Sequence, residues 1–258
     1  MNASESRATP GPALAVAALG WGVGGLVIVD GVDLQVARGE FVSVIGPNGA
    51  GKTSLINLIS GVHAPRSGSV SLLGVDVTRM RPADRTRRGL GRTFQTSSLF
   101  PGLSVEENVR LAAQAALGGS LNLLVTPRPG DDAHERATSA LERVGLSDRR
   151  AGTVRELSHG DKRKLEIAVV LAADPHVLLL DEPTAGVSVE ETRPLIELIH
   201  AVHQGGTTIV MVEHRMEFVV DVSDRIAVMH EGSLLTIGTP NQVMADERVR
   251  NAYLGRRG

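Results

Sequence analysis

Residues Gly46-Pro47-Asn48-Gly49-Ala50-Gly51-Lys52-Thr53 spell G-x-x-x-x-G-K-T, and Ser54 follows at once. The flanks restrict what this stretch can be. Phe41 to Ile45 is a short apolar run with β-branched Val42, Val44 and Ile45, the composition of a buried strand. Ser54 to Ser60 carries Leu55, Ile56, Leu58 and Ile59, as the first turns of a helix would. Strand, glycine loop and helix form the setting of a phosphate-binding P-loop. In such a loop successive backbone N–H groups make a concavity for phosphate oxygens, and the helix N-terminus adds partial positive charge. The glycines allow close approach and positive φ. Lys52 would bridge the β- and γ-phosphates, and the Thr53 hydroxyl would ligate Mg²⁺. The motif specifies a nucleotide and Mg²⁺. It leaves open what hydrolysis would drive.

The rest of the composition narrows the partners. A chain of 258 residues can bury a substantial core. A net charge of −2 gives no electrostatic footprint for nucleic acid, and only 2% aromatic residues leaves few stacking platforms for single strands. The absence of cysteine excludes disulfides and thiolate metal sites. Ala8 to Val29 contains no charged residue and approaches the length of a membrane span. However, Met1 to Arg7 has no net positive charge, and Gly20, Gly22, Gly24 and Gly25 interrupt the run. Two short strands, about Leu14 to Leu19 and Leu26 to Val29, joined by a glycine turn, account for it better.

Strand patterns continue at Val32 to Val36, Phe41 to Ile45, Ser69 to Leu73 and Leu90 to Phe94, with a basic helix opening at Pro82. Then the character changes. Ser104 to Glu107 is a capping-box pattern opening a helix through about Ala116. Gly118 to Gly130 reads as a loop, and Asp132 to Val144 as a helix stopped by Gly145. Gly160 to Ala173 has helical spacing at Leu165, Ala168, Val169 and Ala172. Alternation then resumes: strand Val177 to Leu180, helix Ser188 to Val202, strand Thr207 to Val212, helix Met216 to Val222, strand Ile226 to Met229 and a short helix starting at Thr239. Alternating β and α implies a mainly parallel sheet covered on both faces. The expected organisation is a disordered tail over 1–12 and one α/β domain over 13–255, with a helical insertion at about 96–165.

Val177-Leu178-Leu179-Leu180-Asp181-Glu182 is an apolar strand ending in two carboxylates. Asp181 at the tip would hold Mg²⁺, directly or through water, and Glu182 would orient and deprotonate the attacking water. Thr207 to Val212 ends in Glu213-His214, which puts a histidine at the next strand end. With 8 histidines in the chain, position alone gives His214 no special standing.

A family resemblance resolves this. Leu157-Ser158-His159-Gly160-Asp161 resembles the LSGGQ signature of ATP-binding-cassette (ABC) ATPases. The P-loop, Gln95, the Asp181-Glu182 strand and His214 stand in that family's order, over about Leu14 to Gly255. The resemblance implies a P-loop NTPase (RecA-like) core with an antiparallel β subdomain and an inserted helical subdomain. It implies ATP and Mg²⁺ as cofactors, Gln95 as a ligand sensing Mg²⁺ and water, and His214 as a switch histidine. It also implies a second ABC subunit, identical or not, whose signature would cap the γ-phosphate through Ser158 and Gly160. Transmembrane permease subunits would dock near Phe100-Pro101 and Leu103 at the cytoplasmic face of the membrane, served by an extracytoplasmic solute-binding protein. The chain departs from the pattern at His159 and Asp161, lacks the aspartate expected after Pro183-Thr184-Ala185-Gly186, and has Val23 where an adenine-stacking aromatic is expected, with Trp21 nearby.

Leu-Ser-His-Gly, Val212-Glu213-His214-Arg215-Met216 and the final Ala252-Tyr253-Leu254-Gly255 are similar to one branch of the family. That branch comprises ATP-hydrolysing subunits of bacterial importers of branched-chain amino acids or urea. The alternatives are a soluble ABC ATPase without a transport role, a non-catalytic nucleotide-binding regulator, against which intact Lys52 and Glu182 argue, and an export role.

Overall fold

A computed structural model describes residues 11–93, 99–118 and 131–254. The charge-free N-terminal stretch forms strands: β1 (Leu14–Val23) pairs antiparallel with β2 (Leu26–Val36). Among the described residues no helix is long and apolar enough to cross a membrane. The turn falls at Gly24 and Gly25, both at positive φ. Both strands are longer than their patterns suggest. Gly20 and Gly22 lie inside β1, and the expected Val32 to Val36 strand is the far half of β2. Irregular register between Val16 and Gly22 explains the misreading, since bulges absorb the glycines that would otherwise mark a turn. β4 (Ser67–Leu72) and β5 (Val75–Asp76) complete an antiparallel sheet in the order β2-β1-β4-β5.

The second sheet comprises β3 (Phe41–Ile45), β6 (Leu90–Arg92), β7 (Val177–Asp181), β8 (Thr208–Val212), β9 (Arg225–His230) and β10 (Ser233–Gly238). Its order is β10-β9-β3-β8-β7-β6, and every pairing is parallel except β9 with β10. β3, β7 and β8 are buried along their whole length. Their residues alternate between two cores. Phe41, Ile45, Leu178, Leu180, Ile209 and Met211 pack into one, and Val42, Val44, Val177, Leu179, Val210 and Val212 into the other. β10 has no expected counterpart. All its residues are half-buried, so neither face produces a clean alternation.

Helices cover the first core: α3 (Val105–Ala116), α4 (Asp132–Arg143), α5 (His159–Leu171), α6 (Val189–Gln204) and α7 (Met216–Val222). α1 (Lys52–Ile59) and the antiparallel sheet cover the second. α8 (Pro240–Ala245) and α9 (Glu247–Leu254) close the described chain. The Ser104 cap works as its sequence implies, accepting from the Glu107 amide at 3.1 Å. Glu107 does not return the bond, because its carboxylate grips Arg110 at 2.6 and 2.7 Å. Gly145 ends α4 at positive φ, as expected.

α2 (Pro82–Arg87) starts at its proline and contributes one buried cation. The Arg85 guanidinium donates to the Leu58 and Ile59 carbonyls at 2.8 and 2.6 Å, and to Thr78 and Met80 at 2.9 and 3.1 Å. It thereby satisfies the orphan carbonyls at the C-terminus of α1.

Candidate nucleotide site

The apolar strand β3 delivers the chain to Gly46, where the backbone turns sharply. Gly46 has φ 149, and a Cβ there would lie 2.1 Å from the Met229 carbonyl oxygen. Gly51, at φ 96, precedes α1, and its Cβ would meet the Ile28 carbonyl at 2.6 Å. Both places admit only glycine. Between them Pro47, Asn48, Gly49 and Ala50 form the arch, with the Ala50 amide donating to the Pro47 carbonyl at 3.1 Å. Lys52, Thr53 and Ser54 form the first turn of α1. That turn has no side-chain cap and no acidic residue, so its amides suit an external anion. The Lys52 ammonium folds over the loop and donates to the Gly46 and Pro47 carbonyls at 2.8 and 3.0 Å. Burial pushes its pKa down, and the charges of Glu182 and Asp181 oppose that shift.

The tips of β7 and β8 bring three more of the expected residues to this place. Asp181 is buried, and neither carboxylate oxygen has a hydrogen-bond partner. Burial pushes the Asp181 carboxyl above its usual range and Glu182 adds to the effect, against Arg92, Lys52 and His214. A buried carboxylate with open lone pairs, beside a helix that begins Lys52-Thr53, suits a hard cation that keeps much of its water. These residues therefore fit Mg²⁺. Glu182 follows in the left-handed region at φ 51, held by its amide to the Val212 carbonyl at 2.9 Å. Its Oε1 lies 2.7 Å from Nε2 of His214, so the two side chains form one hydrogen-bonded pair. The strain of a non-glycine residue at positive φ persists where surrounding contacts over-determine it.

Those contacts come from Glu213, whose sequence signal is only its place next to His214. Its buried carboxylate accepts from the Thr184 amide at 3.1 Å, the Thr184 hydroxyl, the His214 amide at 2.7 Å and the Arg215 amide at 3.3 Å. One side chain thus ties the turn after Glu182 to the residue that meets Glu182. Arg92 was also missed. It lies 3.5 Å from Asp181 and donates to the Ser60 hydroxyl at 2.6 Å. The only sequence signals were an acid adjacent to His214 and a basic residue ending β6.

Gln95 lies outside the described residues. Ser158 and Gly160 are at the start of α5. Ser158 caps the helix, accepting from the Asp161 amide at 3.0 Å, and its own hydroxyl donates to Glu191 of α6 at 2.7 Å. The unexpected Asp161 points to Lys164 at 3.2 Å, as an outward charge on the first turn. Trp21 has one face stacked on His63, with centroids 4.5 Å apart, whereas Val23 stands 57% exposed at the end of β1.

The family model described as ABC transporter matches residues 29–185. The chain belongs to the ABC transporter family. A second model, described as branched-chain amino acid ATP-binding cassette transporter, matches residues 233–258 of this ABC protein. The high-affinity branched-chain amino acid transport ATP-binding protein LivG of Escherichia coli K12 is 40% identical, over 95% of this chain and 98% of its own. BraF of Pseudomonas aeruginosa, described in the same words, is 38% identical over 95% and 98%. A nucleotide-free ATP-binding cassette from an ABC transporter superposes with a TM-score of 0.83 at 28% identity, covering 95% of this chain and 100% of that one. The ADP conformation of the cassette MJ1267 gives 0.84 at 29% identity, covering 95% and 99%. This ABC protein is an ATPase, and its cassette binds nucleotide.

Proposed function

We propose that this ABC protein hydrolyses MgATP to power a solute importer, with branched-chain amino acids as the transported class. The single observation that carries the catalytic reading is the Glu182–His214 pair, at 2.7 Å, beside buried Lys52 and Asp181 oxygens that accept no hydrogen bond. Lys52 exchanges the Gly46 and Pro47 carbonyls for oxygens of the β- and γ-phosphates, while the loop amides and the Ser54 turn hold the rest of the triphosphate. The Thr53 hydroxyl, Asp181 and Gln95 would hold Mg²⁺, which would supply positive charge against the phosphates. Glu182 takes the proton of the attacking water as its oxygen bonds to the γ-phosphorus, and ADP leaves. His214 holds Glu182 in line and donates to the γ-phosphate.

Ser158 and Gly160 cap the γ-phosphate of a second ABC subunit, so two chains close on two nucleotides. That closure excludes water and strengthens the electrostatics at each site. The permease docks on the loop before α3. There Phe100 is 56% exposed, on a backbone held by Asn108, which accepts from the Phe100 amide at 2.7 Å and donates to its carbonyl at 3.2 Å. Such a chain works at the cytoplasmic face of the membrane, with a solute-binding protein on the other side. The amino-acid assignment rests on the likeness to LivG and BraF and on the C-terminal match.

The test is a pull-down from solubilised membranes followed by uptake assays with branched-chain amino acids and urea. Copurified membrane subunits and ATP-dependent uptake of leucine, isoleucine or valine are expected. Uptake of urea alone would reassign the substrate, and ATP turnover without any membrane partner would remove the transport role.

A further inference from the structure

The Ser158 hydroxyl is already engaged. It donates to Oε1 of Glu191 at 2.7 Å, and a Cβ on Gly160 would lie 2.7 Å from the Glu191 carboxyl carbon and 2.8 Å from that same oxygen. The carboxylate therefore sits against Gly160 in the first turn of α5, holding the hydroxyl that would face a phosphate. It is held there from its own side as well. Glu191 is in the first turn of α6, its amide donates to the Ser188 hydroxyl at 3.3 Å, and Ser188 donates to Oε2 at 3.4 Å. Two helix N-termini, capped by Ser158 and Ser188, converge on one negative group, which their partial positive ends favour. None of the ion pairs among the described residues of α5 and α6 involves it.

A serine hydroxyl has one proton to donate. Ser158 can give it to Glu191 or to a phosphate oxygen, and a γ-phosphate brought against the same turn places a second negative charge within a few ångströms of the carboxylate. We infer that Glu191 is a positioning residue that occupies the anion place of the signature in the separate chain and is displaced when the nucleotide of a second subunit seats there. This rests on the two-subunit reading above. Displacement frees the first turn of α6, and so bears directly on the Pro183–Ser188 turn that follows Glu182. Glu191 thus raises the nucleotide concentration at which two chains close, and makes closure depend on a full triphosphate charge rather than on apolar contact.

The experiment uses Glu182→Gln, which slows hydrolysis, and follows dimer formation by light scattering across an ATP titration. Adding Glu191→Gln keeps an acceptor for Ser158 and removes the charge. The ATP concentration for half-maximal dimer should fall about tenfold, roughly the effect of one like-charge contact near a protein surface after screening. Glu191→Ala should lower it at least as far, with thermal unfolding of the nucleotide-free variants checking that both are folded. In a Ser158→Ala background the Glu191→Gln gain should shrink, because a carboxylate that the hydroxyl no longer holds against the signature repels the phosphate less. An unchanged or raised midpoint in both Glu191 variants overturns the inference, as does a gain that persists undiminished without the Ser158 hydroxyl. If Glu182→Gln alone forms no dimer at any ATP concentration, the two-subunit reading itself fails, and this inference with it.

Discussion

The P-loop half and the signature half of this chain both present a helix N-terminus to phosphate, but they are prepared differently. At Gly46–Thr53 the surroundings are finished: backbone passes within van der Waals distance of two glycines, Lys52 is buried, and the carboxylates facing it, Asp181 and Glu182, lie together at the tip of β7. At Ser158–Gly160 the helix tip belongs to the helical layer, the serine is exposed, and a carboxylate from α6 shares its hydroxyl. The buried half already holds Lys52, Asp181, Glu182 and His214 together. The exposed half has a competitor to lose first. A site divided this way binds ATP on one face readily and closes on the other face conditionally.

Substitutions in the two halves test that contrast. Glu182→Gln should lower ATP turnover by about 10²–10⁴-fold while leaving ATP affinity nearly intact, as general-base removal does; steady-state phosphate release beside a nucleotide titration reads both. Lys52→Ala should weaken ATP binding by about a hundredfold, the loss of charge-assisted bonds to two phosphates. Equilibrium dialysis with ATP measures this, and an unchanged affinity would mean that the loop amides suffice. Asp181→Asn should abolish the extra thermal stabilisation that Mg²⁺ gives over ATP alone. Without metal its melting temperature should fall below that of the parent, because the substitution leaves the largely buried Arg92 without the charge it faces at 3.5 Å. Thr184→Val should destabilise the fold by about 1–3 kcal/mol by removing the hydroxyl that donates to buried Glu213. Turnover should fall more than affinity, since the Glu182–His214 pair loses its brace. Ser104→Ala should cost about 1 kcal/mol in urea unfolding through the lost cap of α3 and leave nucleotide affinity unchanged. A change in affinity there would mean that the helical layer and the P-loop are not independent.

What sequence could convey follows from the same contrast. The P-loop is contiguous, its glycines are demanded by local backbone geometry, and β3, β7 and β8 carry unbroken apolar runs because both their faces are covered. All of these features are local and therefore readable. Glu213 meeting Thr184 across 29 residues, and Glu191 meeting Ser158 across 33, are products of tertiary packing with no periodic signal. Arg92 beside Asp181 is another, set by the parallel pairing of β6 with β7. The lengths of β1 and β2 were obscured for a different reason: bulges put glycines inside strands, where composition reads them as turns.

The clamp of Arg85 on the last carbonyls of α1 has a mechanical side. The helix whose first turn faces the triphosphate is a rod about 12 Å long, free at the phosphate end and bolted at the other to the carbonyls of Thr78 and Met80 through one guanidinium. A pull on the segment from 78 to 88 therefore arrives at Lys52 as a displacement of the whole rod rather than as local fraying.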